Sequence, residues 1–195
     1  MWDFVAKDLV KLFTSENGTC NSFAHAAVRF GFHDAGAWSK TSGFGGADGS
    51  LLTNDLEISR SENNGLQAIK VLGNTLLTKY EGFGVGSADL VQFMHNVAVV
   101  VCPLGPRQIT FIGRADSSAD APTGLLPDTR APVTDLLQLF LDKTIGTIDL
   151  ISLIGAHTTA IQRFVDPANA GPLDTTSGIW DVAFYSEALA AAPAP

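Results

Sequence analysis

Apolar residues recur at helical spacing along most of the chain. In residues 3–13 they fall at Phe4, Val5, Leu9, Leu12 and Phe13, the stripe of an amphipathic helix. A second helix is expected over 21–33, carrying His25, Arg29 and His33. Residues 64–79 repeat the pattern with Leu66, Ile69, Leu72 and Leu76 as the buried stripe. From Leu90 to Val101 the run is almost continuously apolar, which predicts a helix buried on most sides. Ser87 is placed to cap its start and Cys102-Pro103 to end it. Two more helices are expected at about 132–142 and 147–161, and a short one over 180–190 ahead of an Ala-Pro tail.

The connections are long. A glycine-rich loop runs over 36–49. Residues 103–131 are proline-rich with little regular pattern, and a short strand is expected at 109–112. Residues 164–178 are rich in Asp, Thr, Pro and Gly. No internal repeat is evident, so the fold class is all-α, in one domain over 1–195.

Composition narrows the partners. The chain has 195 residues, 46% hydrophobic and 16% charged, which is globular and long enough for a real core. A net charge of −8 argues against nucleic acid or an anionic membrane as partner. No apolar run is long enough to span a bilayer. Met1-Trp2-Asp3-Phe4 lacks the basic end and apolar stretch of a signal peptide. The chain therefore either works in the cytosol or had a signal removed. Two cysteines, Cys20 and Cys102, do not settle the compartment by count alone. Asn17-Gly18-Thr19 is a legal N-glycosylation triplet, a pattern also common by chance.

Two stretches carry chemistry. Arg29 and His33, four apart, share one helix face, and a cation beside a base is the start of an acid–base site. Taken alone, the pair is also what a surface arginine and a capping histidine look like. The second stretch, from Asp149 to Thr159, is an apolar helix bearing one histidine, His157, preceded by Gly155-Ala156. A lone histidine there is more often a core residue than a ligand, although the small residues allow a flat cofactor to approach.

Arg29-x-x-Phe32-His33-Asp34, followed by Gly45-Gly-Ala-Asp-Gly-Ser50, resembles the distal side of the plant-type haem peroxidase superfamily. The segment around His157 resembles that family's proximal helix, and the two occur in the family's order and at family-like spacing. The resemblance implies a haem peroxidase fold, with a distal half over about 1–130 and a partial proximal half over about 131–195. It implies haem b, with His157 as iron ligand and Phe32 packed over the haem face. His33 would take a proton from hydrogen peroxide and Arg29 would stabilise the charge that develops as the O–O bond breaks. Asn63, in Asn63-Asn64-Gly65-Leu66, would hold the proton on the other ring nitrogen of His33, with Glu57 supporting the network.

The resemblance also implies two calcium ions, each wanting six to eight oxygens. Asp34, Gly46, Asp48 and Ser50 match the distal site. Thr158, Asp174, Thr176, Ile179 and Asp181 match the proximal one. As isolated Asp/Gly/Ser loops these stretches would also pass for ordinary turns.

Within the superfamily, Val101-Cys102-Pro103, Gly113-Arg114 and Gly124-Leu-Leu-Pro-Asp128 resemble the secreted fungal (class II) branch. That branch implies a Cys20–Cys102 disulfide, an extracellular location with the signal peptide outside this chain, and a monomer. It implies hydrogen peroxide and small aromatic donors as partners. Asp128 resembles an acid at the haem-access channel, and Arg163 is placed to pair with a haem propionate.

Departures refine the picture. Manganese peroxidases place acids where this chain has Ser22, Ala26 and Arg163, and lignin peroxidases place a surface Trp where it has Ser152. The expectation is therefore a generic donor, oxidised at the haem edge without manganese. The family continues well beyond residue 195, and that further part includes the Asp partner of the proximal histidine. A peroxidase-fold protein that binds calcium, and haem or not, without turnover is the alternative. Trp38, Trp180, His25 and His95 are expected to be structural, His95 with a backbone partner.

Overall fold

In a computed structural model, residues 1–191 are described. Nine α-helices lie among them: α1 (Trp2–Phe13), α2 (Ser22–Ala35), α3 (Ser50–Thr53), α4 (Asp55–Ile58), α5 (Gln67–Tyr80), α6 (Ser87–Val101), α7 (Val133–Leu141), α8 (Thr147–Ile154) and α9 (Ala183–Ala191). A two-residue hairpin pairs β1 (Ile161–Gln162) with β2 (Gly171–Pro172), antiparallel with Ile161 opposite Pro172. No helix among the described residues is long and apolar enough to cross a membrane.

The core is built where α2 crosses α6. Ala24, Ala27 and Phe30 are buried with Leu90, Val91, Met94 and Ala98 in one cluster. The two backbones approach closely because Gly31 has no side chain. A Cβ there would lie 2.5 Å from the Cβ of His95. That approach lets the His95 ring donate from Nδ1 to the Val28 carbonyl at 2.8 Å and Gln92 Nε2 donate to the Gly31 carbonyl at 3.1 Å. His95 thus has the backbone partner expected of it. On the other side α1 adds Val5, Leu9 and Phe13, and Trp2 tilts against Phe93 at 4.7 Å. Asn21 caps α2 through Oδ1, which accepts from the Phe23 and Ala24 amides, and it donates to the Leu12 carbonyl at the end of α1. The Cys20–Cys102 disulfide joins the start of α2 to the end of α6.

Four expectations are corrected. Gly86, not Ser87, is the N-cap of α6. The Asp116 carboxylate comes within 2.7 Å of where a Gly86 Cβ would stand and accepts from the Ala88 amide at 2.9 Å, while Ser87 Oγ is buried without a partner. Residues 109–112 are not a strand, since no other segment among the described residues pairs with them. They are held through Thr110, which accepts from Asn96, and at their end by the Gly113 amide donating to Asp89. The helix expected over 64–79 starts only at Gln67, because Gly65 sits at φ +89° and breaks it from the 3-10 turn Ser61–Asn63. The helix expected over 147–161 ends at Ile154 and tightens into a 3-10 turn, Gly155–Thr159, that carries His157. The Tyr185 hydroxyl lies 2.9 Å from where a Gly155 Cβ would be and donates to the Ile151 carbonyl.

The two halves are packed unequally. The core cluster is drawn mainly from α1 to α6. In α7 to α9 only Phe140 and Leu150 are buried apolar residues, while Val133, Ile148 and Leu189 are each at least 70% exposed.

Candidate active site

One cleft of about 1970 Å³ runs between these halves. It is larger than the several hundred Å³ of an ordinary small-molecule site. Arg29, Phe32 and His33 line one part of it, from the last turns of α2. His157 and Arg163 line it from the segment after α8, and Asp128 from the long loop.

On the α2 wall, His33 Nδ1 lies 2.8 Å from Asn63 Oδ1. Asn63 is buried, and its Nδ2 donates to the Glu57 carbonyl at 2.8 Å, so the amide is oriented with its oxygen toward the imidazole. This fixes the proton on Nδ1 and leaves a lone pair on Nε2. Burial first, then the positive charge of Arg29, push the His33 pKa down to about 4, so the ring is neutral at ordinary pH. Arg29 Nε donates to that lone pair at 3.1 Å, and the guanidinium is anchored on the Asn64 and Glu62 carbonyls at 2.8 and 2.6 Å. Phe32 stacks near-parallel on Phe140 of α7.

Glu57 serves differently from the expectation. Its backbone carbonyl, not its carboxylate, holds Asn63, while the carboxylate accepts from the Ala121 amide at 2.8 Å. The carbonyl anchors of Arg29 and the stacking of Phe140 were not legible in sequence. Only the turn-forming Asn64-Gly65 pair hinted at the former.

Elsewhere along the same cleft, His157 is exposed. Its Nδ1 lies 3.0 Å from the Ile154 carbonyl, which makes it the donor and leaves Nε2 as a free lone pair. Phe184 of α9 tilts against the ring at 5.1 Å. A neutral imidazole with one free nitrogen on the wall of a mostly apolar cleft is a donor suited to a haem iron. The residues present fit that group.

Behind each histidine lies an oxygen-rich loop. Asp34 is fully buried, and its carboxylate accepts from the Gly49, Leu51 and Gln92 N–H groups at 3.2–3.4 Å. Burial raises its pKa to about 7, with the charges of Asp48 and Glu57 adding to the effect against the two amides. Asp48 accepts from the Ser50 amide, and Ser50 Oγ is buried without a partner. Gly46, at φ +99°, completes the turn. Beside His157, the Thr158 hydroxyl lies 2.6 Å from Asp174 and 3.2 Å from Asp181. Thr176 donates its amide to Asp174, and its own hydroxyl is buried and unpartnered. Ile179 follows in the same turn, its amide on the Thr176 carbonyl. Buried carboxylates beside orphaned hydroxyls are a donor set that fits a hard cation at each loop.

Trp38 packs over Gly46, and Trp180 donates its backbone amide to the Pro103 carbonyl. His25 is partly buried near the disulfide with neither ring nitrogen partnered.

An all-α frame that sets a histidine–arginine pair and a second, free imidazole on the walls of one deep cleft defines the haem peroxidase fold. Residues 5–191 match the peroxidase family, and the chain belongs to it. It is 34% identical over 179 residues to ligninase H2 of Phanerodontia chrysosporium, covering 87% of this chain and 47% of that protein. It is 35% identical over 191 residues to manganese peroxidase H4 of the same organism, covering 95% and 49%. To a low-redox potential peroxidase of Taiwanofungus camphoratus it is 36% identical over 153 residues, covering 77% and 46%. The chain thus spans about half the length of the curated relatives it matches.

Proposed function

We propose that the chain is the haem-bearing core of a secreted peroxidase, made of a distal half over about 1–130 and a partial proximal half over 131–195. It reduces hydrogen peroxide to two waters while two small phenolic or dye-like donors each give up one electron and one proton. The observation that carries this reading is the cleft itself, which His33 and Arg29, with Asn63 behind His33, and a His157 free at Nε2 all serve.

Haem b, when bound, supplies the redox-active iron that side chains lack. His157 would hold the iron through Nε2, Phe32 would pack on the ring face, and Arg163, on the cleft wall, would meet a propionate. Arg29 moves off the His33 lone pair when peroxide enters. His33 Nε2 then takes the peroxide proton and returns it to the departing oxygen, which leaves as water. The Arg29 guanidinium neutralises negative charge on that oxygen. Asn63 keeps the Nδ1 proton in place throughout. Calcium at Asp34, Gly46, Asp48 and Ser50, and at Thr158, Asp174, Thr176, Ile179 and Asp181, would tie down the segments that continue from the two histidines.

Donor oxidation needs no manganese in this reading, since Ser22, Ala26 and Arg163 on the cleft wall offer no carboxylate. Ferric haem titrated into the calcium-loaded chain should give a saturable spectrum that changes on adding peroxide. His33→Ala should bind haem but react roughly 10²–10⁴-fold more slowly, and His157→Ala should lose the iron ligand spectrum. A folded chain without saturable haem binding, or a His33→Ala protein reacting at the unaltered rate, overturns the proposal. The exposure of His157 and its backbone-only partner favour the second reading, a calcium-binding protein of this fold without turnover. Haem uptake without any response to peroxide is the result that would select it.

A further inference from the structure

The turn between α1 and α2 takes no part in the cleft. Thr14 and Cys20 close its base as an antiparallel bridge, and the Ser15 amide donates to the Thr19 carbonyl at 2.8 Å. Asn17 and Gly18 stand exposed at its tip. Gly18 lies at φ +81°, the left-handed conformation that folds Thr19 back onto Asn17.

Every polar contact of the Asn17 side chain falls on one atom. Oδ1 accepts from the Thr19 amide at 3.1 Å and the Thr19 hydroxyl at 2.8 Å, and Ser15 Oγ lies 2.6 Å from it. The Thr19 amide must meet an acceptor, which fixes which end of the carboxamide is oxygen. Among the described residues no partner meets Nδ2, and Asn17 is exposed. Nothing lies within 4 Å of a Cβ built on Gly18, so the space around the tip is open.

We infer that Asn17 is an N-glycosylation site. The inference rests on the proposed secretory route. In the transfer, Asn17 Nδ2 bonds to the anomeric carbon of a lipid-pyrophosphate-linked oligosaccharide. The lipid pyrophosphate leaves with the electron pair of the broken C–O bond, and the amide loses one proton to the transferase. The +2 hydroxyl that the reaction needs is Thr19, already in contact with the acceptor amide. The turn is local, so it presents the amide both in the emerging chain and in the folded protein. The sugar would stand three residues from Cys20, whose disulfide is buried beneath the turn, and on a segment that does not line the cleft.

The full chain, placed behind a secretory leader and translocated into microsomes, tests this. The protease-protected molecules are mapped by mass before and after peptide N-glycosidase. Wild type and Thr19→Ser should carry one glycan on Asn17 that the enzyme removes, leaving aspartate. Asn17→Gln and Thr19→Ala should carry none. Protected wild-type chains with unmodified Asn17 overturn the inference, as does a glycan that survives Thr19→Ala. Haem titration of the same material reads the peroxidase proposal separately, so the two stand or fall apart.

Discussion

Asp34 offers the sharpest energetic test, because it is a fully buried carboxylate whose neighbours are polar N–H groups and not a cation. Its pKa of about 7 in the metal-free chain lies well above that of an unfolded aspartate. A folded-state pKa that is raised adds stability in full below the unfolded pKa, near 3.8, and loses it as pH rises through the folded one. The gap, at about 1.4 kcal/mol for each pH unit, amounts to about 4 kcal/mol, some 3 of it between pH 5 and 8. That is a large share of the total stability of a domain. Urea unfolding of the chelator-treated protein should therefore show a steep loss over this range. Asp34→Asn should flatten it while lowering stability at pH 5, where the amide fits its donors worse. Glu57, also raised by burial, remains in the variant, so the difference reports Asp34 together with its charge coupling to Glu57. Saturating calcium should abolish the loss in wild type, because the cation holds the carboxylate ionised. An equal pH slope in wild type and Asp34→Asn would refute the reasoning.

Three further outcomes are expected. In the haem-loaded protein the rate of reaction with peroxide should be flat near neutrality and fall as pH drops through about 4, where His33 gains the proton that removes its lone pair; Asn63→Leu should lower the plateau about 10–100-fold. Gly31→Ala should cost about 1–3 kcal/mol of stability in a thermal melt, because its Cβ would force α2 and α6 apart at His95. Replacing both Cys20 and Cys102 by Ala releases a loop closed over a separation of 82 residues, and should cost about 4 kcal/mol by chain entropy, read as a lower urea midpoint.

The sequence made the helices that carry their own signals legible. The α2 start is marked by Asn21, α6 by a nearly continuous apolar run, and the core faces by simple periodicity. It misplaced features that depend on distant residues. The carboxylate that satisfies the start of α6 comes from Asp116, 28 residues downstream of the Ala88 amide it receives. The end of α8 is set by packing against Tyr185, which no local pattern announces. At the site, residue types at fixed spacing nominated Arg29, His33, Asn63 and His157, and the fold brings the first three into contact. The backbone carbonyls of Glu57, Glu62 and Asn64 were invisible, since any residue supplies a carbonyl and only the fold aims it.

The unequal packing of the two halves bears on how the chemistry divides between them. Asn63 is buried and fixed by a backbone carbonyl, and His33 and Arg29 take their positions from α2, which the core holds on α6. In the proposed reaction, proton transfer is thus prepared by a part of the chain that packs on itself. The His157 turn rests on Phe184 and Tyr185 of a short, mostly exposed helix. Its geometry is held by fewer buried contacts and so opens at lower cost. A substitution in α9 should therefore weaken the iron side while leaving the His33 pKa unmoved. One in the α2–α6 core should disturb both, because the α2 wall and the fold share the same buried residues. Arg29 sharpens the distinction. Two backbone carbonyls hold its guanidinium over His33, so in the proposed reaction entry of peroxide would need only the 3.1 Å Nε–Nε2 contact to open, and the charge would stay where the departing oxygen needs it.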